Sequence, residues 1–170
     1  MLKEKLGVDD RDAKILSMFA NNPEVSQTEL AEALKLSQPS VNARVQKLKK
    51  KGLLSLIAGI ELNKTDMYMA RVDFTTSNAE KVLQELMKCS FFVNGFIMSG
   101  SNNVSVFIVG YDLKKIESII SKHLRSNPDI KDINMSVVVS SAKPFIYSVD
   151  IEKEHSCETE SCVTCRANKK

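Results

Sequence analysis

The chain has 170 residues, 43% of them hydrophobic and 26% charged, with a formal net charge of +3, a make-up that fits a globular protein and excludes a collagenous, disordered or membrane-embedded one. No apolar run approaches the roughly 18 residues of a membrane span, and residues 1–6 lack the apolar core and small-residue cleavage site of a secretory signal, so a cytoplasmic protein with no membrane partner is expected. The charge is unevenly placed: residues 1–64 hold 11 basic and 8 acidic residues, residues 65–150 hold 9 of each and residues 151–170 hold 4 of each.

Residues 12–20 put Ile15, Leu16 and Phe19 on one side of a short helix, which Asn21-Asn22-Pro23 breaks. A second helix opens at Ser26, which with Glu29 forms a capping box, and Leu30, Ala31, Ala33 and Leu34 supply its apolar face. Lys35-Leu36 leaves room only for a tight turn. In the third helix Ser37 suits the N-cap, Pro39 the first turn and Gly52 the stop. Val41, Val45 and Leu48 recur at i, i+4 and i+7, one buried stripe. Around the other side lie Ser40, Asn42, Ala43, Gln46, Lys47 and Lys50, where small and amide side chains can reach base edges and lysines can reach phosphates. Residues 35–51 contain six basic residues and no acidic one; a solvated helix face commonly interleaves the two signs. Two short helices joined by a tight turn, the second basic, make a helix-turn-helix that binds double-stranded DNA. The plain alternative is a solubilising surface. This domain is expected to cover residues 1–52.

Residues 53–66 read as a connecting strand or linker that carries Ile57, Ile60 and Leu62, with the domain boundary at Asn63-Lys64-Thr65-Asp66. From Met67 the hydrophobic period changes to two. Residues 67–74 read as a strand, 79–88 as a helix, 91–99 and 104–110 as strands joined by a Gly100-Ser101-Asn102-Asn103 turn, 113–124 as a helix and 130–140 as a last strand. The order βαββαβ is that of a ferredoxin-like domain, expected over residues 67–147, and the whole chain is therefore α+β. Two helices on one face of a four-stranded sheet leave the other face uncovered, and a second copy of the chain is the simplest cover. Phe91, Phe92, Phe96 and Phe107 serve either the core or that interface.

Residues 148–170 lose the apolar pattern and cannot build a core. His155, Cys157, Cys162 and Cys165 give His-x-Cys-x4-Cys-x2-Cys. The set suits zinc as Cys3His, part of an iron–sulfur ligand run whose fourth cysteine is Cys89 or a partner's, or a reversible thiol pair; an unstructured tail with unpaired thiols is the plain alternative. Cys89, in an apolar context, reads as a core residue.

Asp12-Ala-Lys-Ile-Leu, Glu29-Leu-Ala-Glu-Ala-Leu-Lys-Leu-Ser, Val41-Asn-Ala-Arg-Val-Gln-Lys-Leu-Lys and Gly52-Leu-Leu together resemble the Lrp/AsnC, or feast/famine, transcription regulators. The second domain adds the element order, Gly100 in the central hairpin, and Val137-Val138-Val139 followed by Lys143-Pro144-Phe145. The resemblance covers roughly residues 9–147. It implies a sequence-specific regulator acting as a homodimer or octamer, with residues 37–51 as the recognition helix and Ser37, Gln38, Ser40, Asn42, Ala43, Arg44, Gln46, Lys47 and Lys50 as its DNA-facing set. Arg44 resembles the family's helix arginine, with a phosphate or an intra-domain hydrogen bond as its partner. The second domain is then a sensing and dimerisation module whose small-molecule effector would meet Ser99, Gly100, Ser101 and Asn103. Where the family usually shows Gly-x-x-Asp, this chain has Gly100-Ser101-Asn102-Asn103, which removes a carboxylate able to hold an amino group. Control by metal, cluster or thiol state at the tail is the alternative to an amino-acid effector.

Sirohaem decarboxylase subunits share this two-domain architecture and supply an enzyme alternative. They need cationic side chains for tetrapyrrole carboxylates and a proton-transfer residue, for which the chain offers only His123 and His155. No nucleophile and base pair, phosphate-binding glycine loop or carboxylate constellation is present, so catalysis is not expected.

Overall fold

The structure is a computed structural model and describes residues 2–148. The chain divides into two compact units, residues 1–57 and 58–170. The first holds helices α1 (Leu2–Leu6), α2 (Asp10–Asn21), α3 (Gln27–Leu34) and α4 (Gln38–Lys50). The short α1 has no buried residue, which is why no apolar periodicity announced it. Asp9 caps α2 by accepting from the Asp12 backbone N–H at 2.8 Å. Ser26 and Glu29 close the expected capping box on α3: the Glu29 N–H donates to Ser26 Oγ at 3.2 Å and the Ser26 N–H to Glu29 Oε2 at 2.7 Å. Ile15, Phe19, Leu30, Val41, Val45, Leu48 and Leu54 form the core of this unit, each fully buried aliphatic side chain contributing about 1.5–3 kcal/mol. At the end of α4, Gly52 takes φ +69°. Its N–H donates to the Lys49 carbonyl at 2.9 Å and that of Leu53 to Leu48 at 3.0 Å, the paired bonds of a Schellman stop.

The second unit begins inside what reads as the connector. Leu53 and Leu54 pack with the helices of the first unit, whereas Leu62 is buried in the second core, so the division falls between residues 57 and 58 rather than at Asn63-Lys64-Thr65-Asp66. A short strand β1 (Ile60–Glu61) and one 3-10 turn (Leu62–Lys64) lead to β2 (Tyr68–Thr76), α5 (Ala79–Leu86), β3 (Phe92–Ile97), β4 (Val104–Gly110), α6 (Leu113–Ile120) and β5 (Ile130–Val137). The sheet order is β3-β4-β2-β5, all antiparallel, the ferredoxin-like arrangement. Ala70, Val72 and Phe74 of β2 and Val104, Val106 and Ile108 of β4 face one side, where Val82 and Leu86 of α5 and Ile116, Ile119 and Ile120 of α6 complete the core. A Cβ on Gly95 would stand 2.5 Å from Leu83, so the bare backbone there lets α5 approach β3.

Three boundaries differ from the expectation. The last turn after α6 is a π-helix over Ser121–Arg125. β5 stops at Val137: the Val138 N–H still donates to Met69, but Val139 is exposed. Finally, a strand absent from the expectation, β6 (Ile146–Tyr147), pairs antiparallel with β1. Two residues are too few for a period to register.

Candidate nucleic-acid interface and ligand groove

On α4, Val41, Val45 and Leu48 are buried and Ser40, Asn42, Ala43, Gln46, Lys47, Lys49 and Lys50 are exposed. At 100° per residue Ala43, Gln46, Lys47 and Lys50 fall on one stripe opposite the buried one. Small, amide and cationic groups thus project together from a helix that its neighbours hold rigidly. The first turn is organised differently from the expectation. Ser37 is the N-cap residue but makes no side-chain cap bond; its hydroxyl donates to Ser40 Oγ at 3.0 Å. Gln38 Nε2 donates to Thr28 Oγ1 at 2.9 Å and so fastens the start of α4 to α3.

Of the two partners expected for Arg44, a phosphate or an intra-domain group, the structure shows the second. Arg44 Nη1 lies 2.7 Å from Asp9 Oδ2 and 2.5 Å from Asp12 Oδ1, and Asp12 is only 3% exposed. The guanidinium bridges the N-terminus of α2 to the middle of α4 and is spent inside the domain. The pKa of Asp9 is lowered, first by the hydrogen bond from the Asp12 backbone and then by Arg44, while Asp9 and Asp12 raise that of Arg44. Sequence reasoning missed Asp9 and Asp12; the signal was an acidic residue at a helix position that otherwise faces the core.

On the uncovered face of the sheet, Arg71, Asp73, Phe96, Met98, Ser105 and Phe107 join residues 99–102 around an open groove of about 490 Å³. Phe96 is 49% and Met98 46% exposed. The rings of Phe96 and Phe107 meet edge to face at 6.4 Å, and Arg71 Nη2 pairs with Asp73 Oδ2 at 2.9 Å. Of the expected effector contacts, Ser99, Gly100 and Ser101 line this groove. Asn103 does not: its Oδ1 accepts from the Thr76 N–H at 3.0 Å and its Nδ2 donates to the Thr76 carbonyl at 2.7 Å, so the amide is used up as a peptide-like bridge. Thr75 adds a hydroxyl bond to the Ser101 carbonyl at 3.0 Å. Arg71 and Asp73 escaped sequence reasoning because only the strand order brings β2 beneath the β3–β4 hairpin.

Cys89 is 5% exposed in the second core, beside Tyr147, whose hydroxyl donates to the Ser90 carbonyl. That burial agrees with its reading as a core residue. His155, Cys157, Cys162 and Cys165 lie outside the described residues. Among the described residues no group of three or more His, Cys, Asp and Glu side chains is placed to hold a metal ion, and no helix is long and apolar enough to cross a membrane. His123 sits at a cavity between α5 and the π-turn with a buried Nε2 that has no hydrogen-bond partner, and burial lowers its pKa.

Residues 8–55 match the winged helix-turn-helix DNA-binding family model. Transcriptional regulator AzlB of Bacillus subtilis is 24% identical over 153 residues, covering 86% of this chain and 97% of AzlB. The regulator LrpA of Pyrococcus horikoshii is 22% identical over 140 residues, 80% of this chain and 99% of LrpA. Among solved structures, Escherichia coli AsnC superposes with a TM-score of 0.69 at 14% identity, covering 80% of this chain and 95% of AsnC. A transcriptional regulator from Neisseria meningitidis, solved as a complex with L-Met, gives 0.67 at 19% identity, covering 88% and 99%. The first unit is thus a winged helix-turn-helix DNA-binding domain, and the curated relatives that match across both domains are transcriptional regulators. Over four-fifths of its length the chain thus resembles transcriptional regulators such as AzlB and LrpA in sequence, and AsnC in fold.

Proposed function

We propose that this protein binds a defined sequence in duplex DNA through α4, in pairs, under the control of a second input. The observation that carries the proposal is the exposed stripe Ala43, Gln46, Lys47 and Lys50, with no acidic residue anywhere from 35 to 51 to offset it. Gln46 and Asn42 offer amide pairs suited to adenine edges, Ser40 a hydroxyl, and the lysines a phosphate term that weakens as counterions compete. Two copies reading successive major grooves favour a pseudo-palindromic site with half-sites about one helical turn apart. The exposed Phe96 and Met98 on the uncovered sheet face support a homodimer, or an octamer built from dimers, in which a second copy shields that face.

Two inputs fit the chain. One is a small polar ligand in the groove of Ser99, Gly100 and Ser101 with Arg71 and Asp73, where the carboxylate missing from the hairpin is supplied by the neighbouring strand. The other is the tail, whose His155, Cys157, Cys162 and Cys165 have the donor chemistry of a zinc site, of part of an iron–sulfur set or of a thiol pair.

Fluorescence anisotropy with a selected duplex over a range of salt tests the DNA reading. Affinity falls as salt rises, and Lys47→Ala with Lys50→Ala, which removes four lysines from a bound pair, reduces the log–log slope by up to about 3.6, at about 0.9 per phosphate contact. An unchanged slope defeats the proposal. Metal and sulfide analysis after anaerobic purification, with DNA binding measured before and after oxidation, tests the tail: binding indifferent to metal and oxidant removes it as an input.

A further inference from the structure

Residues 65–150 are electrically balanced overall, with nine basic and nine acidic residues, yet their charges are not mixed. Residues 113–125, which make α6 and the π-turn, hold Lys114, Lys115, Lys122 and Arg125 against Glu117 alone. Ile116, Ile119, Ile120 and Leu124 fix the inner side of this segment in the core. Outward, Lys114, Ser118, Ser121, Lys122 and Arg125 line one shallow groove with Glu117, and among the described residues no other element contributes to its walls. Arg125 donates to Glu117, which holds the guanidinium beside the groove and leaves further N–H donors of its fork available. Lys115 turns the other way, its Nζ 4.7 Å over the Phe91 ring.

We propose that this stripe is a second DNA-contacting surface, which takes phosphates of duplex beyond the stretch read by α4. Lys114 and Arg125 are eleven residues apart, about 16 Å at a rise of about 1.5 Å per residue. Along the DNA axis that length is about five rises of about 3.4 Å, and because the strand winds as it rises, a straight stripe meets a few of its phosphates rather than all of them. Two serine hydroxyls between cations supply neutral donors to phosphate oxygens, a mix that positions DNA without reading sequence. Nothing on the stripe is shaped to recognise bases: it lacks an amide side chain and a small-residue gap. The contact therefore adds affinity that depends on duplex length and salt while leaving the choice of site to α4. The inference rests on DNA binding by α4; if that fails, the wild-type protein binds neither duplex used below.

The test compares the full chain with a Lys114→Glu/Lys122→Glu variant on two duplexes with the same site, one ending at the half-sites and one extended by two helical turns on each side. The wild type binds the longer duplex with a steeper salt dependence, by about 3.6 in the log–log slope for the four lysine contacts that a bound pair adds, two on each side. The variant loses that excess and about tenfold in affinity for the long duplex at low salt, and keeps its affinity for the short one. Lys114→Arg/Lys122→Arg retains the length effect, which separates lost charge from a damaged fold; a melting curve of each variant controls for the latter. Equal slopes for the two duplexes in the wild type, or an equal loss on both in the variant, overturns the proposal. So does a stripe that binds anionic vesicles or single-stranded RNA in place of the long duplex.

Discussion

The exposed side of α4 and the groove beside the β3–β4 hairpin are both polar surfaces, yet they are held in place by different means. The α4 surface is local. A single helix sets which residues face outward, one buried stripe fixes its roll, and the caps at both ends lie within the same short stretch of sequence. The groove is assembled from afar: Arg71 and Asp73 come from β2, Phe96 from β3, Ser105 and Phe107 from β4, and the amide of Asn103 ties the hairpin to Thr76 across 27 residues. A local surface tolerates change at its exposed positions without altering the fold. A surface assembled from three strands depends on the side chains that hold its parts together, even where those side chains look like ligand contacts.

The strongest way to break this contrast is through Arg44, whose partners Asp9 and Asp12 lie over 30 residues away along the chain. Removal of its side chain leaves Asp12 buried beside an empty space, and losing one partner of such a pair costs about 3 kcal/mol or more. Arg44→Ala therefore lowers the melting transition of the helical unit by over 10 °C, at about 4–8 °C per kcal/mol for a domain of this size. Arg44→Lys recovers part of this only, because the shorter side chain holds its ammonium back from the position at which Nη1 meets both carboxylates. Calorimetry of the intact chain reads both. A variant that melts normally and loses only DNA affinity would return Arg44 to the interface.

Asn103 gives the next largest effect. Its two bonds to the Thr76 backbone contribute about 1 kcal/mol each, so Asn103→Ala costs the second domain about 2 kcal/mol. Asn103→Asp separates structure from ligand binding. It restores the family's usual carboxylate to the hairpin, yet it aims a second acceptor at the Thr76 carbonyl. The introduced carboxyl therefore has a raised pKa in the folded state, and the sign follows: stability is lower at neutral pH and recovers as the pH falls and the group regains a proton to donate. A groove that instead becomes a better binder of amines, with unchanged stability, would show Asn103 to be a ligand contact.

How much of this was legible in the sequence follows the same division. The capping box at Ser26 and Glu29, the Gly52 stop and the Val41, Val45, Leu48 stripe are all patterns within a few residues, and each stands in the structure as read. The βαββαβ order was equally open, because alternating and helical periods differ sharply. What escaped was every feature that needs two distant segments: the Asp9 and Asp12 clamp on Arg44, the Asn103 bridge, Arg71 and Asp73 in the groove, and the pairing of β1 with β6. In each case the residue type was visible and its partner was not. Asn103 looked like a ligand contact since an exposed turn amide and a bridging amide are the same three atoms until the facing strand is known.

The smallest effects are those of pH, and they divide the two domains. In the helical unit Asp9 has a lowered pKa, so its contribution is present in full above its unfolded value of about 3.9 and is lost as the pH falls through the lower folded value. In the second domain His123 is also lowered, by burial, so the unfolded chain takes up a proton first and stability declines as the pH falls below about 6.5. Tyr147 works from the other end. Burial pushes its phenol up to about 12; its contribution is complete below the unfolded value of about 10 and is lost as the pH rises between the two. The second domain should thus soften both in mild acid and above pH 10, while the helical unit holds until about pH 4. Hydrogen exchange followed by domain across this range checks the order. His123→Gln removes the mild-acid loss, and Tyr147→Phe removes the alkaline one at a cost of about 1 kcal/mol for the hydrogen bond to Ser90. If the Tyr147→Phe variant still softens above pH 10, the latch at Ser90 is not what the alkali releases, and the stability of the second domain is set by its sheet rather than by the β6 segment that closes it.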